Sequence, residues 1–524
     1  MKETKNKRLN PIVFWPPFLL LLGAVIYSFI DSGGFAAAMN KTYEWLGLKF
    51  GWLFLLIGLF IIVLLAVIFC SKAGSIRFGG KDAKPKYGFW NWFAMSLCGG
   101  IAIGIVFWGV AEPITFLATP NNGIEPFSGE AVRFAMSQSY FHWTLIPYGM
   151  YALATIPIAL AVYNYGQKMT ISSGLYFLLG DRCNGVFGNI VNAVSLFALV
   201  GGISTSLGFG LMQIGSGVSY TTGITPSPFL WAIIAALIIG AFLTSSMLGI
   251  DKSIKWLSDQ NLKLYIIVLV FLFIVGPSVY ILNLGVESTG AFVTTFFEKA
   301  TYLGTYNGED WSRWWTVFYW AVWFAYAPVV GIFLTRLCYG RTIRQFLAVN
   351  LIAPSVFCMI WFTIFGGTAI DMQLSGTFDL WNALQTTGTE SAVYAFFSQL
   401  PLGNILIIVF LIVICTSFVT MADSMTYVAA VMSTSGFHHE EEPPQFLKLT
   451  WGIIMGVLAW VMISFAGLDG ARMLATISAF PILFLMILLL FAAIKGLFAP
   501  EIRINLKNHG KRKKETVPTE NDTI

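Results

Sequence analysis

Between Trp314 and Tyr326, eight of thirteen residues carry an aromatic ring: Trp314, Trp315, Phe318, Tyr319, Trp320, Trp323, Phe324 and Tyr326. Pro328 and Gly331 follow within the same apolar stretch. In a bilayer-crossing helix, aromatic side chains normally gather at the two ends, at headgroup level. Here they occupy successive turns, next to a proline. The faces of Trp and Tyr attract cations, and cages of such rings hold quaternary ammonium groups. The run is therefore the first place to seek a ligand.

The other candidates for chemistry are sparse. Glu112 and Asp423 lie at or near membrane depth, where an ionisable side chain is a functional candidate by default. Glu112 precedes Pro113 at the end of its apolar run, so capping or pairing near the interface is its alternative role. Asp423 has two readings, a hydrogen bond to its own helix or a proton relay. The six cysteines (Cys70, Cys98, Cys183, Cys338, Cys358, Cys415) are scattered without ligand spacing and read as buried thiols. His438, His439 and His509 fall in polar connections or the tail. No metal cluster and no nucleophile–base pair is visible, so neither an enzyme nor a cofactor is expected, apart from a coupling ion.

The elements that must position these residues are apolar spans. The chain is 57% hydrophobic and only 11% charged over 524 residues, and apolar runs of about 20 residues read as transmembrane helices. Twelve are expected, at roughly 11–30, 51–70, 90–117, 139–163, 186–214, 228–248, 260–283, 314–338, 346–371, 403–434, 446–466 and 472–498. They make residues 11–500 one transmembrane domain, between a cytoplasmic N-terminus (1–10) and a charged cytoplasmic tail (501–524). Of the 31 basic residues, all but Lys41, Lys49, Arg133, Lys299, Arg313 and Arg472 fall on one side, which the positive-inside rule makes the cytoplasm of a cell-membrane protein. The net charge of +5 follows from topology and gives no reason to propose nucleic-acid binding. Residues 286–303 mix apolar and polar positions at helical period and read as an interfacial amphipathic helix.

Two spans carry backbone-disrupting residues: the third, with Gly99, Gly100 and Gly104, and the eighth, with Pro328 and Gly331. They lie five spans apart, which makes spans 3–7 and 8–12 two repeats. Interrupted helices in corresponding places mark a transporter binding site. Unwound backbone at Gly100, Ala102 and Gly104 is expected to face the ligand, the alternative being that the glycines only allow close helix packing.

The segment from Trp315-Thr-Val-Phe-Tyr-Trp through Gly331-Ile-Phe-Leu-Thr-Arg-Leu-Cys-Tyr-Gly-Arg-Thr-Ile-Arg-Gln-Phe346 resembles the betaine/choline/carnitine transporter family. Phe107-Trp-Gly-Val-Ala-Glu-Pro113, Phe141-His-Trp-Thr-Leu145, Thr205-Ser-Leu-Gly208 and Ala422-Asp-Ser424 resemble it in order, and the likeness covers nearly the whole chain. The resemblance implies an all-α membrane fold of twelve helices with inverted five-helix repeats, of the amino-acid-transporter type. It also implies alternating access and a homotrimer. It places the ammonium of the substrate in a box made here by Trp143, Tyr148 and Tyr151 of the fourth span and Trp323 and Tyr326 of the eighth. At about 100° per residue, Trp143, Tyr151 and Tyr148 fall near 0°, 80° and 140°, and Pro147 bends their helix; Tyr319, Trp323 and Tyr326 share one face. Relatives that bind betaine or carnitine commonly carry Trp at the position of Tyr148 and at that of Val322. The loss of those indoles points to a wider box.

Sodium-coupled members of that family hold the ion with hydroxyls where this chain has Thr420 and Met421. A second ion takes threonines where it has Leu199 and Ile203. A thioether is a poor ligand for a hard cation. Lys255, at the start of the seventh span, matches a basic residue that fills the ion's place in sodium-independent members. Its alternative is an ordinary inner-face charge paired with Asp259. The expectation is a secondary transporter of a small quaternary-ammonium compound (betaine, choline, carnitine or a relative), Na⁺-independent, by exchange or with protons. The alternatives are a sulfonium or amino-sulfonate substrate, a Na⁺-coupled betaine symporter, and a sensor built on a transporter fold.

Overall fold

A computed structural model describes residues 8–247, 250–435 and 443–498, without the side chains of 8, 98–103, 243–247, 250–255 and 258. The expected tail at 501–524, most of the N-terminal segment and the Lys255 side chain fall outside that description.

The described chain is helical almost throughout. The first half comprises α1 (Pro11–Ile30), α2 (Ser32–Cys70), α3 (Phe89–Ala118), α4 (Gly129–Trp143), α5 (Leu145–Tyr165), the short α6 (Tyr176–Leu179), α7 (Val186–Thr222) and α8 (Pro228–Met247). Then come α9 (Ile250–Val275), α10 (Ser278–Thr301), α11 (Phe318–Cys338), the single turn α12 (Ile343–Leu347) and α13 (Ala353–Leu374). The chain ends with α14 (Leu380–Thr387), α15 (Ala392–Ser398), α16 (Gly403–Met432) and α17 (Gln445–Phe498). Among the described residues the only sheet is a two-residue pairing, β1 (Arg8–Leu9) antiparallel to β2 (Thr434–Ser435), with Leu9 opposite Thr434.

Among the described residues, eight helical segments are long and apolar enough to cross a bilayer, and a ninth results if the bent pair α9–α10 is counted as one span. Inside a bilayer every backbone polar group must be satisfied within the protein, which is why apolar runs of this length fold as helices. The segment 54 residues long, α17, is two helices merged across Gly467, whose φ of 58° lies in the left-handed region that a glycine tolerates. The seventh apolar segment ends earlier than the hydropathy suggests. Gly276 and Pro277 stop α9, and α10 departs at 112° with Leu282, Val286, Val293 and Phe297 exposed.

The backbone breaks are not where the glycines suggested. Instead of unwinding between Gly99 and Gly104, the helix α3 runs from Phe89 to Ala118. Likewise α11 continues through Pro328 and Gly331. A Cβ at Gly331 would sit 3.0 Å from that of Ala154, so this glycine serves the close approach of α11 to α5. Two discontinuities bear on the aromatic run. Thr144 takes φ −120° and ψ −115°, separating α4 from α5. A proline lacks the N–H and its ring clashes with the carbonyl four residues back. For Pro147 that carbonyl belongs to Trp143, the last residue of α4. The second is a π-helical turn over Arg313–Val317 at the entry to α11.

Candidate functional site

The break at Thr144 and the π turn deliver the aromatic side chains to one place. The Trp323 ring, on α11, meets Trp143 at 5.6 Å between centroids, Tyr151 at 5.3 Å and Tyr148 at 5.7 Å. Tyr319, one turn earlier, lies 5.5 Å from Trp143 and nearly perpendicular to it. Such edge-to-face contacts suit the ring quadrupoles. The rings surround a cavity of about 60 Å³ lined by Gly104, Trp143, Tyr151, Tyr319, Trp323 and Tyr326. Gly104 is there for space: a Cβ would stand 2.6 Å from Cη2 of Trp143.

Six of the residues singled out from the sequence therefore line one cavity. Tyr148 does not. Its hydroxyl and the Sγ of Cys358 on α13 are 3.2 Å apart, and its ring backs Trp323 from behind. The interrupted helix changes the angular register that a continuous one would give it. Gly100 and Ala102 belong to α3, but Ala102 is among the residues whose side chains are not described. Val322, the position lacking an indole, lines the cavity, and Met421 lines it too, beside Met425. Met421 thus contributes to the cavity wall. The hydroxyl of Thr420 donates to the carbonyl of Thr416 in its own helix, and Asp423 is buried on α16.

Trp108, Ser206 and Phe209 of the wall were not proposed as ligand contacts, while Phe318 belongs to the aromatic run. The Tyr326 hydroxyl donates to the Gly202 carbonyl at 2.9 Å and, its one proton so used, accepts from the Ser206 hydroxyl at 2.6 Å. Tyr326 is thereby fixed to α7 while its ring faces the cavity.

Behind the rings stands Glu112, fully buried on α3. One carboxylate oxygen accepts from the Trp143 indole N–H at 2.7 Å and from the Tyr319 hydroxyl at 2.5 Å. The other lies 3.0 Å from Nδ1 of His142. Glu112 therefore does not merely cap α3; it anchors two of the rings that line the cavity. The sequence carried a hint of this, since Glu112 and His142 each sit in one of the landmark motifs. Their pairing required the fold.

A second, larger cavity of about 210 Å³ lies beside this network, lined by Arg133, Gln138, Lys299, Tyr302, Trp311 and Thr316 among others. Aromatic side chains separate the two. Trp315 packs on Phe116 at 4.7 Å and on Trp108 at 5.7 Å. The Arg472 guanidinium, on α17, lies over Trp315, Trp108 and Phe318 at 4.6, 5.4 and 5.3 Å from their ring centres. Among the described residues no group of three His, Cys, Asp or Glu could hold a metal ion.

A family model described as "BCCT, betaine/carnitine/choline family transporter" matches residues 12–501. The glycine betaine transporter OpuD of Bacillus subtilis is 34% identical over 489 residues, covering 93% of this chain and 94% of that protein. A probable glycine betaine transporter of Desulfitobacterium hafniense is 34% identical over 94% of this chain and 98% of its own length. The ectoine/hydroxyectoine transporter of Virgibacillus pantothenticus is likewise 34% identical, over 94% and 96%.

Proposed function

This chain belongs to the betaine/carnitine/choline family of transporters, and from that premise we propose that its inner cavity carries the quaternary ammonium group of a small zwitterion such as glycine betaine. The observation that carries the reading is the convergence of Trp143, Tyr151, Tyr319, Trp323 and Tyr326 on one buried cavity. Five aromatic faces around a desolvated cation are worth more than any one of them, each contributing roughly 0.5–2 kcal/mol. The test is a tryptophan-fluorescence titration of the purified protein with glycine betaine. Trp323→Leu is expected to weaken binding about tenfold or more. Unchanged affinity in that variant rejects the cage.

Val322 in the wall favours a second reading, a bulkier or differently shaped head group such as a sulfonium, or an amino-sulfonate. The relatives' names show that head groups vary among similar chains, two being named for glycine betaine and one for ectoine/hydroxyectoine. A thermal-shift series across the three classes separates them.

The wider architecture belongs to the same proposal. Dividing α17 at Gly467 and counting α3, α8 and α9 as spans beside the remaining long segments supports twelve crossings, with two inverted five-helix repeats. In that arrangement both termini are cytoplasmic, α10 lies in the interface, and the larger cavity is an outer vestibule because its lining residues Arg133 and Lys299 stand on the side poor in basic residues. The protein works by alternating access, as a homotrimer in the cell membrane, without Na⁺. Scanning of introduced cysteines with an impermeant reagent tests the orientation, and native mass spectrometry the trimer.

A further inference from the structure

We propose that Glu112 is the counter-charge of the ammonium cage and receives protons from the outer vestibule through Thr316 and His142, so that external acid and substrate compete. The inference rests on reading the inner cavity as the substrate site.

The hydrogen-bond directions follow from one fixed point. In its ammonium form Lys299 Nζ only donates, and it lies 3.0 Å from Oε1 of Gln138; burial pushes this amine down to about 7, so the directions below are those of the charged state. The amide therefore presents its Nε2 donor to Nε2 of His142, at 3.0 Å. That ring nitrogen must accept, which leaves the imidazole proton on Nδ1, donated to Glu112 at 3.0 Å. Glu112 then accepts from three donors (His142, Trp143 and Tyr319) and has no acceptor for a proton of its own. This is the network of an ionised carboxylate.

Its position is the informative part. Thr316, whose hydroxyl lies 3.1 Å from Nε2 of His142, lines the vestibule. Trp143 and Tyr319, at the other end of the chain, line the inner cavity. Thr316 and Tyr319 are three residues apart, about 4.5 Å along a helix axis. The titratable and charged groups around the carboxylate are His142 on α4, Tyr319 on α11, Arg472 on α17 and, through Gln138, Lys299 on α10. Asp259 of α9 meets Trp90 near the opposite end of α3, and Asp423 is buried on α16.

The step balances simply. A vestibule proton passes to the Thr316 oxygen as that hydroxyl gives its own proton to His142 Nε2. His142 then releases its Nδ1 proton to Glu112 Oε1. One proton has moved, and His142 is neutral again with its proton on Nε2, donated to the Thr316 oxygen, while the Gln138 amide donor turns from that nitrogen until the resting tautomer returns. The neutral carboxyl no longer supplies the negative charge that favours a cation in the cage, in surroundings where water does not screen it. By linkage, a bound cation disfavours the proton to the same extent.

The test uses the full-length protein in right-side-out proteoliposomes, with glycine betaine affinity read by tryptophan fluorescence from about pH 8 to about pH 5.5. Wild-type affinity is expected to fall about fivefold or more over that range. Glu112→Gln is expected to bind weakly and without pH dependence; retention of the wild-type profile overturns the proposal. Thr316→Val isolates the route without touching the carboxylate. After a jump in external pH its fluorescence is expected to relax more slowly than wild type, and an equally fast response overturns the route. Failure of the folded wild type to bind glycine betaine at any pH rejects the substrate reading instead.

Discussion

Individual side chains make the sharpest predictions. Gly104 and Trp143 occupy one space, so Gly104→Ala must push the indole out of the wall. Overpacking of this kind costs roughly 1–3 kcal/mol. The expected outcome is a loss of betaine affinity larger than the drop in melting temperature would suggest, measured on the same preparation. Tyr148 makes the opposite case. Its hydroxyl meets Cys358 and its ring lies outside the cavity lining. Tyr148→Phe is expected to leave affinity within about twofold of wild type, since it removes only a contact to a thiol, a weak partner. Val322 offers a gain. An indole at that position adds an aromatic face to the wall, and Val322→Trp is expected to raise affinity for a trimethylammonium ligand by about 0.5–2 kcal/mol relative to an amino-sulfonate. An unchanged ratio of the two dissociation constants contradicts the wall assignment.

The helices explain why those side chains meet. Trp143 ends α4 because Pro147 cannot support the turn that would continue it. Pro147→Ala removes that obstacle and lets α4 run on into α5, which carries Trp143 away from Trp323. Thermal stability is expected to hold or rise while betaine binding is lost, the familiar conflict between stability and a strained site. Calorimetry and a binding titration of the same variant decide it. This break also marks the limit of what the sequence discloses. The long apolar elements are legible because lipid demands continuous hydrophobic runs, and α3, α5, α11 and α16 fall close to where hydropathy puts them. The aromatic half of the cage is legible for a similar reason, since eight rings in thirteen residues exceed what packing needs. The breaks are less so. A glycine in a helix serves either unwinding or close approach, and Gly331 against Ala154 shows the second use. The polar chain from Lys299 to Glu112 is assembled from α10, α4 and α3, and no local pattern announces a partnership across 161 or 30 positions of sequence.

Across the whole molecule the question is what drives the cycle, and the hydroxyls of α7, α16 and α17 bear on it. Thr205 on α7 donates to the Ala471 carbonyl of α17 at 2.9 Å, and Ser204 to the Met455 carbonyl at 3.1 Å. On α16, Thr420 and Ser424 donate to the carbonyls of Thr416 and Thr420. Leu199 and Ile203, fully buried on α7, offer only hydrocarbon. The α7 hydroxyls tie that helix to α17 and the α16 hydroxyls are satisfied within their own helix, whereas a hard cation such as Na⁺ requires several oxygen ligands converging on one point. Met421 lines the cavity instead. The competing charge in this chain is the Glu112 carboxylate, which lies between the vestibule and the cage. Transport is thus expected to follow gradients of substrate and protons. In proteoliposomes preloaded with unlabelled betaine, exchange of labelled substrate is expected to proceed in K⁺ medium at the Na⁺ rate. Acidifying the outside should slow it, because the proton opposes the cation at the cage. A fall of about tenfold or more when Na⁺ is replaced at constant potential would show instead that an ion site forms elsewhere in the cycle, since a loss that large corresponds to about 1.4 kcal/mol of coupling.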